Sequence, residues 1–386
     1  MAADNKRWSL ALGIFGVCLI TGFTVLLLDA DGQWALLSLL VGALLVAYIA
    51  ARSGVAARIE DAFSSHCRFM SWTIVLAFLV VLAVFCQDPF SLLLLATLLL
   101  YFVVCLGLNI QLGYCGVINF AGAAFFGVGS YTAAVMTTHT QWPHLVVLLS
   151  GGVMASLVGA LLLLPVLRTR GHYAALVTIA FGILSRTFIE VNQTLGGAQG
   201  LKVPGVQIFG WSLNDNIDIG DLSISSYVSY AVFAFILAAL ALIITKRLER
   251  SWIGLNFDAV RIDETAAATF GINIARWKIT AFTIGNFFAG VAGALFAMMT
   301  GFVAPSNFTF SDSLILISIV MLGGIGNAWG ILPAAAIVLL VPEKLQAIQE
   351  YRFLLYAIVI ILILLFRPQG LFPRRVRNYF SRQVEK

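Results

Sequence analysis

The stretch from residue 227 to residue 300 decides the fold. It holds an apolar run, YVSYAVFAFILAALALIIT (227–245), then a charged segment, KRLERSWIGLNFDAVRIDETAAATFGINIARWK (246–278), and a second apolar run, ITAFTIGNFFAGVAGALFAMMT (279–300). Each apolar run is close to the ~20 residues that an α-helix needs to cross a hydrocarbon core of about 30 Å. The pattern predicts two membrane-spanning helices joined by an aqueous segment.

The composition of the whole chain points the same way. Of its 386 residues, 61% are hydrophobic and only 11% are charged, whereas soluble domains carry about 25% charged residues. The apolar stretches are continuous, unlike the alternating strands of about 10 residues in membrane barrels. We therefore predict an all-α, polytopic transmembrane helical bundle of about 10–12 membrane segments, some of them broken or re-entrant.

Apolar runs recur along the chain. The candidate spans are 10–28, 34–51, 72–85, 91–108, 117–137, 145–167, 174–190, 227–245, 279–300 and 353–366. Two shorter runs, 311–322 and 330–341, reach only about 18 Å each at 1.5 Å per residue, which is too short to cross alone. We interpret them as a broken pair around Gly323-Gly-Ile-Gly-Asn327.

Basic residues are distributed unevenly between the loops. If Lys6 and Arg7 are placed inside and the sides alternate, most of the 23 Lys and Arg residues fall inside, and three fall outside: Lys202, Lys344 and Arg352. This positive-inside bias predicts that the N and C termini are cytoplasmic. The net charge of +5 then reports membrane topology, and no nucleic-acid partner is expected.

The charged inner segment has a helical portion at 258–271. At 100° per residue, four small or apolar residues share one stripe, which Glu264 interrupts: Phe257, Val260, Ala267 and Ala268. Gly271 fits a helix C-terminus. Such a helix suits insertion into a groove on another protein. The alternative is a helix lying flat on the bilayer, against which its sparse cations count.

Several kinds of site are excluded by the motifs. The chain has no G-x-x-x-x-G-K-[ST] phosphate loop, so it should not bind ATP by that route. Its histidines lie in separate loops without metal-ligand spacing, and its five cysteines show no C-x-x-C pair. We predict no catalytic residue, no cofactor site and no metal site in this chain.

Ionisable side chains are scarce inside the predicted spans. Ion-coupled carriers usually place such groups near the middle of the bilayer. Here Arg186 and Glu190 lie four residues apart at the outer end of the span 174–190. Either Arg186 snorkels to the interface, or it lies near an outer mouth where a guanidinium meets a carboxylate of a substrate or receptor.

Two glycine-rich regions allow two interpretations each. Glycines cluster between residues 107 and 129, which suits either a pathway lining or tight helix packing. The longest outer loop, 191–226, contains Gly196-Gly-Ala-Gln-Gly200 and several aspartates. It is either a landing surface for an extracytoplasmic protein or a solvated connector.

One stretch carries a family resemblance. GLNIQLGYCGVINFAGAAFFGVGSYTAA (107–134) resembles the signature of the branched-chain amino acid ABC transporter permeases, specifically the M-type subunit. Four further stretches are similar, in the family's order: RGHYAALVTIAF (170–181), LGGAQGL (195–201), MLGGIGNAWG (321–330) and FRPQGLF (366–372). Together they cover roughly residues 90 to 375.

The resemblance implies a function and a set of partners. It implies a multi-pass permease subunit, not an enzyme, of an ATP-driven importer for leucine, isoleucine and valine in the bacterial inner membrane. The implied partners are a second (H-type) permease, two cytosolic ABC ATPases that bind ATP and Mg, a periplasmic solute-binding protein and membrane lipids. No cofactor is implied in this chain.

The sequence and the resemblance together predict a domain organisation. Residues 1–86 form an N-terminal three-span leader, 87–375 the importer permease domain, and 376–386 a basic cytoplasmic tail. Within the permease domain, 246–278 is the cytoplasmic loop with a coupling helix, and 191–226 is the periplasmic loop.

Site residues follow from the same resemblance. The expected contacts with the ATPase are Asp258, Arg261, Asp263, Glu264, Ala266, Ala267 and Gly271, although Glu264-Thr-Ala-Ala carries an inserted threonine relative to the family's Glu-Ala-Ala. The expected pathway residues are Asn109, Gly116, Asn119, Tyr131, Thr178, Gly323 and Gly324. The expected contacts with the binding protein are Arg186, Glu190, Gly196 and Gly197.

Other functions stay open at this point. Within the same family, the solute could be urea, a short amide or another neutral amino acid. An ion-coupled secondary carrier is the second hypothesis, and a membrane-embedded enzyme is the third. A cluster of acids or histidines at the bilayer midplane would favour either of these, and the sequence has no such cluster.

Overall fold

The computed structural model of the chain describes residues 2–29, 67–168, 173–208, 211–214, 217–219 and 222–344, and the single positions 38, 42, 354, 361, 365 and 370. The predicted spans 34–51 and 353–366 lie outside these residues except at isolated positions. So do the basic tail 376–386 and, apart from Gly370, the closing motif 366–372.

The described part of the chain is mainly helical, which confirms the predicted all-α class. Its helices are α1 (Ala2–Asp29), α2 (Cys67–Val84), α3 (Pro89–Leu108), α4 (Gly122–His139), α5 (His144–Arg168), α6 (Tyr173–Val191), α7 (Tyr227–Glu249), α8 (Trp252–Ile262), α9 (Glu264–Thr269), α10 (Ile274–Thr300), α11 (Phe310–Gly323) and α12 (Ile331–Lys344). A π-helical turn, Asn109–Tyr114, continues α3, and short 3₁₀ turns lie at Gln193–Leu195, Gly197–Gln199 and Pro305–Asn307.

Six helical segments of the described chain are long and apolar enough to cross a membrane. They are Pro89–Tyr114, His144–Leu167, Tyr173–Val191, Tyr227–Glu249, Ile274–Thr300 and Pro305–Gly323. Shorter apolar helices lie at Gly13–Leu28, Thr73–Val84 and Ile331–Leu340. The polytopic helical bundle expected from the sequence is therefore confirmed.

One predicted span has the wrong start. The apolar run 117–137 was expected to be helical throughout, but α4 begins only at Gly122. The Asn119 Oδ1 atom accepts a hydrogen bond of 2.9 Å from the Ala121 N–H, and this local bond holds the chain in an irregular conformation before the helix.

The centre of the bundle is α10, which packs against α3, α4 and α5. These contacts are made backbone to backbone. A Cβ atom on Gly107 would collide with the backbone of Gly285, and one on Gly129 with the backbone of Gly290. Small residues allow this close approach between membrane helices, so at Gly107 and Gly129 the glycine-rich region serves tight packing.

The outer segment between α6 and α7 folds onto the bundle. It contains β1 (Leu201–Lys202), β2 (Gln207–Ile208), β3 (Trp211–Ser212), β4 (Ile217–Ile219) and β5 (Leu222–Ile224), and β6 (Phe302–Val303) follows α10. The antiparallel pairs are β1–β6, β2–β3 and β4–β5, with Leu201 opposite Val303.

A buried tyrosine anchors this segment. The Tyr230 hydroxyl on α7 accepts a 3.0 Å hydrogen bond from the Val206 N–H and lies 2.7 Å from the Asn214 Oδ1. Val203 and Val206 are buried. The described residues of this segment around Val203, Val206 and Asn214 are therefore held against α7 by burial and hydrogen bonds.

Candidate functional site

The inner segment between α7 and α10 forms two helices, so the predicted single helix over 258–271 is wrong. The chain breaks at Asp263, whose backbone is extended (φ −154°, ψ 108°). The Asp263 Oδ1 atom accepts hydrogen bonds from the N–H groups of Thr265 (2.8 Å) and Ala266 (3.1 Å). An extended residue whose side chain caps the next helix is an N-cap, and α9 therefore starts as a separate helix.

The break also changes which residues are buried. Phe257, Val260 and Ala267 are buried, as the predicted stripe required. Ala268 is exposed, contrary to the prediction, because the break at Asp263 resets the helical phase. Gly271 has φ +79°, the left-handed conformation expected just after a helix C-terminus.

Two apolar side chains that flank α9 are almost fully exposed. Ile262 is 81% exposed and Phe270 is 86% exposed, more than any other large apolar side chain that the structure describes. Sequence reasoning missed both residues, because they lie off the buried stripe. Their positions in the sequence were the available signal, because Ile262 directly precedes Asp263 and Phe270 directly precedes Gly271.

The charged residues of this segment have defined partners. The Glu264 carboxylate forms a 2.6 Å ion pair with the Lys278 ammonium group at the start of α10. Arg261 donates a hydrogen bond from Nη1 to the Gly113 carbonyl oxygen. The α8–α9 segment is thereby attached to α10 at one point and to the π-helical turn after α3 at another.

The turn that continues α3, Asn109–Tyr114, is π-helical. A wider i→i+5 turn of this kind is frequent at functional sites. A Cβ atom on Gly113 would collide with the backbone of Gly326 and with the Asn109 side chain. Gly116, with φ +76°, then turns the chain away, and the Arg261 side chain packs beside it.

The predicted break between the two runs is confirmed, but the prediction that the first run is too short to cross alone is wrong, because the helical segment Pro305–Gly323 extends it to 19 residues. α11 ends at Gly323, Gly324 and Gly326 have φ of 107° and 89°, and α12 starts at Ile331. The Asn109 Oδ1 atom accepts a 2.8 Å hydrogen bond from the Gly326 N–H. The π-turn of α3 therefore lies directly against the break between α11 and α12.

A buried cluster of three amide side chains includes Gln111 of the π-turn. The Gln111 Nε2 atom donates to the Asn286 Oδ1 (2.9 Å), and the Asn119 Nδ2 atom donates to the Gln111 Oε1 (2.9 Å). Sequence reasoning missed Gln111 and Asn286, because a single polar residue inside an apolar run has no periodic signature. The Nδ2 atom of Asn286 has no hydrogen-bond partner among the residues that the structure describes.

Three predicted pathway residues support irregular backbone. Asn109 accepts from the Gly326 N–H, Asn119 from the Ala121 N–H, and the Thr178 Oγ1 from the Phe120 N–H at 3.1 Å. Unwound backbone at membrane depth needs such partners where it is buried or lines a cavity.

The remaining predicted residues lie on α4, on α6 and in the turn that follows α6. Arg186 and Glu190 form an ion pair with 2.8 Å between Nε and Oε1. Gly196 and Gly197, both with positive φ, follow α6. Tyr131 is buried against the Phe308 ring, and its hydroxyl has no hydrogen-bond partner within the described ranges. Among the described residues, Tyr131 therefore takes no part in the hydrogen-bonded group around Asn109.

The chain resembles a family of known transport proteins. A profile described as "Branched-chain amino acid transport system / permease component" matches residues 90–364. The high-affinity branched-chain amino acid transport system permease protein LivM of Escherichia coli (strain K12) is 35% identical over 293 residues, which is 71% of this chain and 68% of the relative.

Two further relatives broaden the comparison. The probable LivM of Methanocaldococcus jannaschii is 23% identical over 72% of this chain and 91% of its own. The permease protein LivH of Escherichia coli (strain K12) is 25% identical over 71% of this chain and 91% of its own. No solved structure matches the chain.

Proposed function

This chain belongs to the family of branched-chain amino acid transport permeases, and we propose that it is the M-type permease subunit of an ATP-driven importer for leucine, isoleucine and valine. It is a multi-pass membrane protein and a transport subunit rather than an enzyme. The observation that carries the proposal is the two-helix segment α8–α9, which exposes Ile262 and Phe270 while the Arg261 side chain contacts the end of α3.

The proposed assembly places this subunit in a bacterial inner membrane. Its partners are a second, H-type permease, two cytosolic ATPases that bind ATP and Mg, and a periplasmic solute-binding protein. The similarity of the chain to both LivM and LivH supports a pair of related permease subunits in one transport system.

The α8–α9 segment is the proposed contact with the ATPase. Helices dock into grooves through apolar anchors spaced along one face, and Ile262 and Phe270 are the side chains available for that role. Asp263 and Glu264, also exposed, supply polar contacts at the rim. Of the other expected contacts, Asp258 lies on α8, the Ala266 N–H donates to Asp263, Ala267 is buried, and Gly271 has a positive φ just after α9.

In the proposed mechanism, a movement of the α8–α9 segment is transmitted to the membrane helices through Gly113. Arg261 contacts the Gly113 carbonyl oxygen, and the Cα of Gly113 faces the backbone of Gly326 in the α11–α12 break. Packed contacts that have two arrangements transmit coupling between distant sites. Closure of the ATPases would thus shift the π-turn and the break together, and no catalytic residue is needed in this chain.

The pathway is proposed to run beside the irregular backbone that Asn109, Asn119 and Thr178 hold. In this proposal Gly116, Gly323 and Gly324 shape the inner side of the pathway, and Tyr131 shapes its outer side. The turn containing Gly196 and Gly197 is the proposed landing point for the binding protein, because it follows α6 directly and belongs to the folded outer segment.

A pull-down in mild detergent from native membranes, followed by mass spectrometry, tests the proposal. The full-length chain should recover an ATPase with a phosphate-binding loop and a second permease. A double variant, Ile262→Asp with Phe270→Asp, should lose the ATPase and keep the permease. Trp142→Ser, which changes an exposed aromatic residue in the α4–α5 loop, should keep both.

Transport by the recovered complex identifies the solute. Reconstituted vesicles should take up labelled leucine only under two conditions. ATP must be present on the side of the membrane that carries the ATPases, and the binding protein must also be present. Recovery of a homo-oligomer alone, or uptake driven by an ion gradient, would contradict the proposal and favour a secondary carrier. ATP-driven uptake of urea but not leucine would contradict the proposed solute.

A further inference from the structure

The last turn of α7 carries a carboxylate at a place where helix electrostatics disfavour one. A helix C-terminus bears a partial negative charge, which favours cations and disfavours acidic side chains. Lys246 and Arg247 fit this rule, but Glu249 is the last residue of α7. It also follows Lys246 along the helix, and a pair with the cation first is the weaker orientation. The stability of α7 alone therefore does not account for Glu249, and its tertiary contacts are informative.

Glu249 contacts both a cation and the π-turn. Its Oε2 atom lies 3.2 Å from the Lys246 Nζ atom, and the Tyr114 hydroxyl donates to the same oxygen at 3.4 Å. Tyr114 is buried and is the last residue of the π-turn. The Lys246 and Glu249 side chains are only 24% and 17% exposed, so salt screens this pair less than it screens a surface pair. The end of α7 is thus joined to the end of the π-turn.

Lys246 also reaches the break between α11 and α12. Its Nζ atom lies 5.7 Å from the centre of the Trp329 ring, within the ~6 Å over which an aromatic face attracts an ammonium group. Trp329 lies in that break, where its N–H donates a 3.0 Å hydrogen bond to the Asn327 Oδ1 atom. Asn327 is buried, which fixes the backbone that carries the ring. Lys246 therefore links the break to the end of α7.

The corner between α7 and α8 is closely packed. Ser251 caps α8, and its Oγ atom accepts a 3.2 Å hydrogen bond from the Ile253 N–H. A Cβ atom on Gly254 would collide with the carbonyl oxygens of Leu248 and Glu249. Only a glycine allows α8 to approach the end of α7 this closely. A displacement of α8 is therefore expected to carry Glu249 and Lys246 with it.

We propose that Lys246 and Glu249 are positioning residues that transmit movement of the α8–α9 segment to the α11–α12 break and to the π-turn. This inference rests on the proposed function and adds a second connection to the one between Arg261 and Gly113. One cation and one carboxylate of the same helix turn each hold a different irregular segment. Their role lies in the amount of solute moved for each ATP hydrolysed, and not in binding either compound.

The ratio of leucine uptake to ATP hydrolysis tests the inference in vesicles that contain the whole complex. A residue needed only for folding should lower both rates in proportion, because it lowers the amount of folded complex. Lys246→Met removes the cation and keeps an unbranched side chain. Arg247→Met makes the same change at the exposed neighbouring residue and is the matched control. Trp329→Leu removes the ring independently, whereas Lys246→Arg and Trp329→Phe keep the cation and the ring.

Lys246→Met and Trp329→Leu should each lower the ratio at least about threefold, within the range for residues that modulate coupling. Lys246→Arg, Trp329→Phe and Arg247→Met should stay close to the wild type. A wild-type ratio in Lys246→Met or in Trp329→Leu would overturn the inference, and so would an equal loss in Arg247→Met. If one of the two variants does not assemble, the other decides.

The same vesicles separate this inference from the proposed function. If the wild-type complex takes up no leucine in response to ATP, the proposed function fails. If the wild type shows ATP-driven uptake and Lys246→Met keeps its ratio, this inference alone fails.

Discussion

Asn109 and Gly326 are joined by a 2.8 Å hydrogen bond from the Gly326 N–H to the Asn109 Oδ1 atom, across 217 positions of the sequence. The bond ties the π-turn of α3 to the break between α11 and α12. Because both groups are buried, neither has water as a ready substitute partner.

Replacing Asn109 by alanine should destabilise the protein. The Gly326 N–H would remain buried without its acceptor, which costs about 1–3 kcal/mol. The melting temperature of the detergent-solubilised chain, followed by tryptophan fluorescence, should fall. Asn307→Ala, at an exposed position, is the matched control and should leave the melting temperature unchanged. Equal melting temperatures for the two variants would show that the bond contributes nothing to stability.

Because α4 and α10 touch at Gly129, replacing Gly129 by alanine should strongly reduce the stability of the protein. The alanine variant would push a Cβ atom into the Gly290 backbone, and overpacking of this kind costs about 1–3 kcal/mol. We expect a lower melting temperature and less folded protein by size-exclusion chromatography.

Gly182→Ala is the control for Gly129→Ala. The added Cβ at Gly182 would lie 4.0 Å from the Ala121 Cα atom, an ordinary contact, so this variant should match the wild type or exceed it slightly. A stable Gly129→Ala protein would mean that α4 and α10 can separate without loss.

The cap at Asp263 predicts a difference between two conservative changes. Asp263→Ala removes the acceptor for the Thr265 and Ala266 N–H groups and should weaken α9 by about 1 kcal/mol. Asp263→Asn keeps an acceptor oxygen and should preserve the helix.

Hydrogen–deuterium exchange measures this effect at the amides of α9. Exchange should be faster in the alanine variant and close to wild type in the asparagine variant. If both variants exchange equally fast, the charge of Asp263 and not its capping bond stabilises α9.

The Cys115 thiol should be unreactive in the folded protein. Burial raises the pKa of Cys115 to about 12, so the reactive thiolate appears only as the pH rises toward that value, and at neutral pH the thiol stays protonated. In a chain that keeps Cys115 alone, maleimide labelling at about pH 8 should be slow and should become rapid in denaturant.

A cysteine at an exposed position nearby provides the comparison for Cys115. Thr269→Cys, at an exposed residue of α9, should label quickly in an otherwise cysteine-free chain. Rapid labelling of Cys115 without denaturant would show that the turn after the π-helix opens to solvent.

Much of the bundle could be predicted from local sequence. The apolar run 279–300 lies inside α10, and the runs 145–167, 174–190 and 227–245 lie inside α5, α6 and α7. The glycines at 323–326 correctly marked the break between α11 and α12. These features depend on the composition of one segment at a time, which is why a single sequence reveals them.

The inner loop was predicted less well. Its helical composition was recognised, but not the break at Asp263, because an aspartate is acceptable both within a helix and at an N-cap. The start of α4 was misplaced for the same reason at Asn119. In both cases two backbone conformations are nearly equal in free energy as far as composition shows. A side-chain hydrogen bond to a nearby N–H decided between them.

The sequence by itself determined which segments enter the membrane, because the free energy of transferring a helix into lipid is close to a sum over its own residues. Only the tertiary structure decided which segments meet: Gly129 with Gly290, Arg261 with Gly113, and Gln111 with Asn286. Such contacts depend on which helices are neighbours, and once lipid surrounds every apolar helix, neighbours are selected by close backbone packing and polar pairing rather than by hydrophobicity.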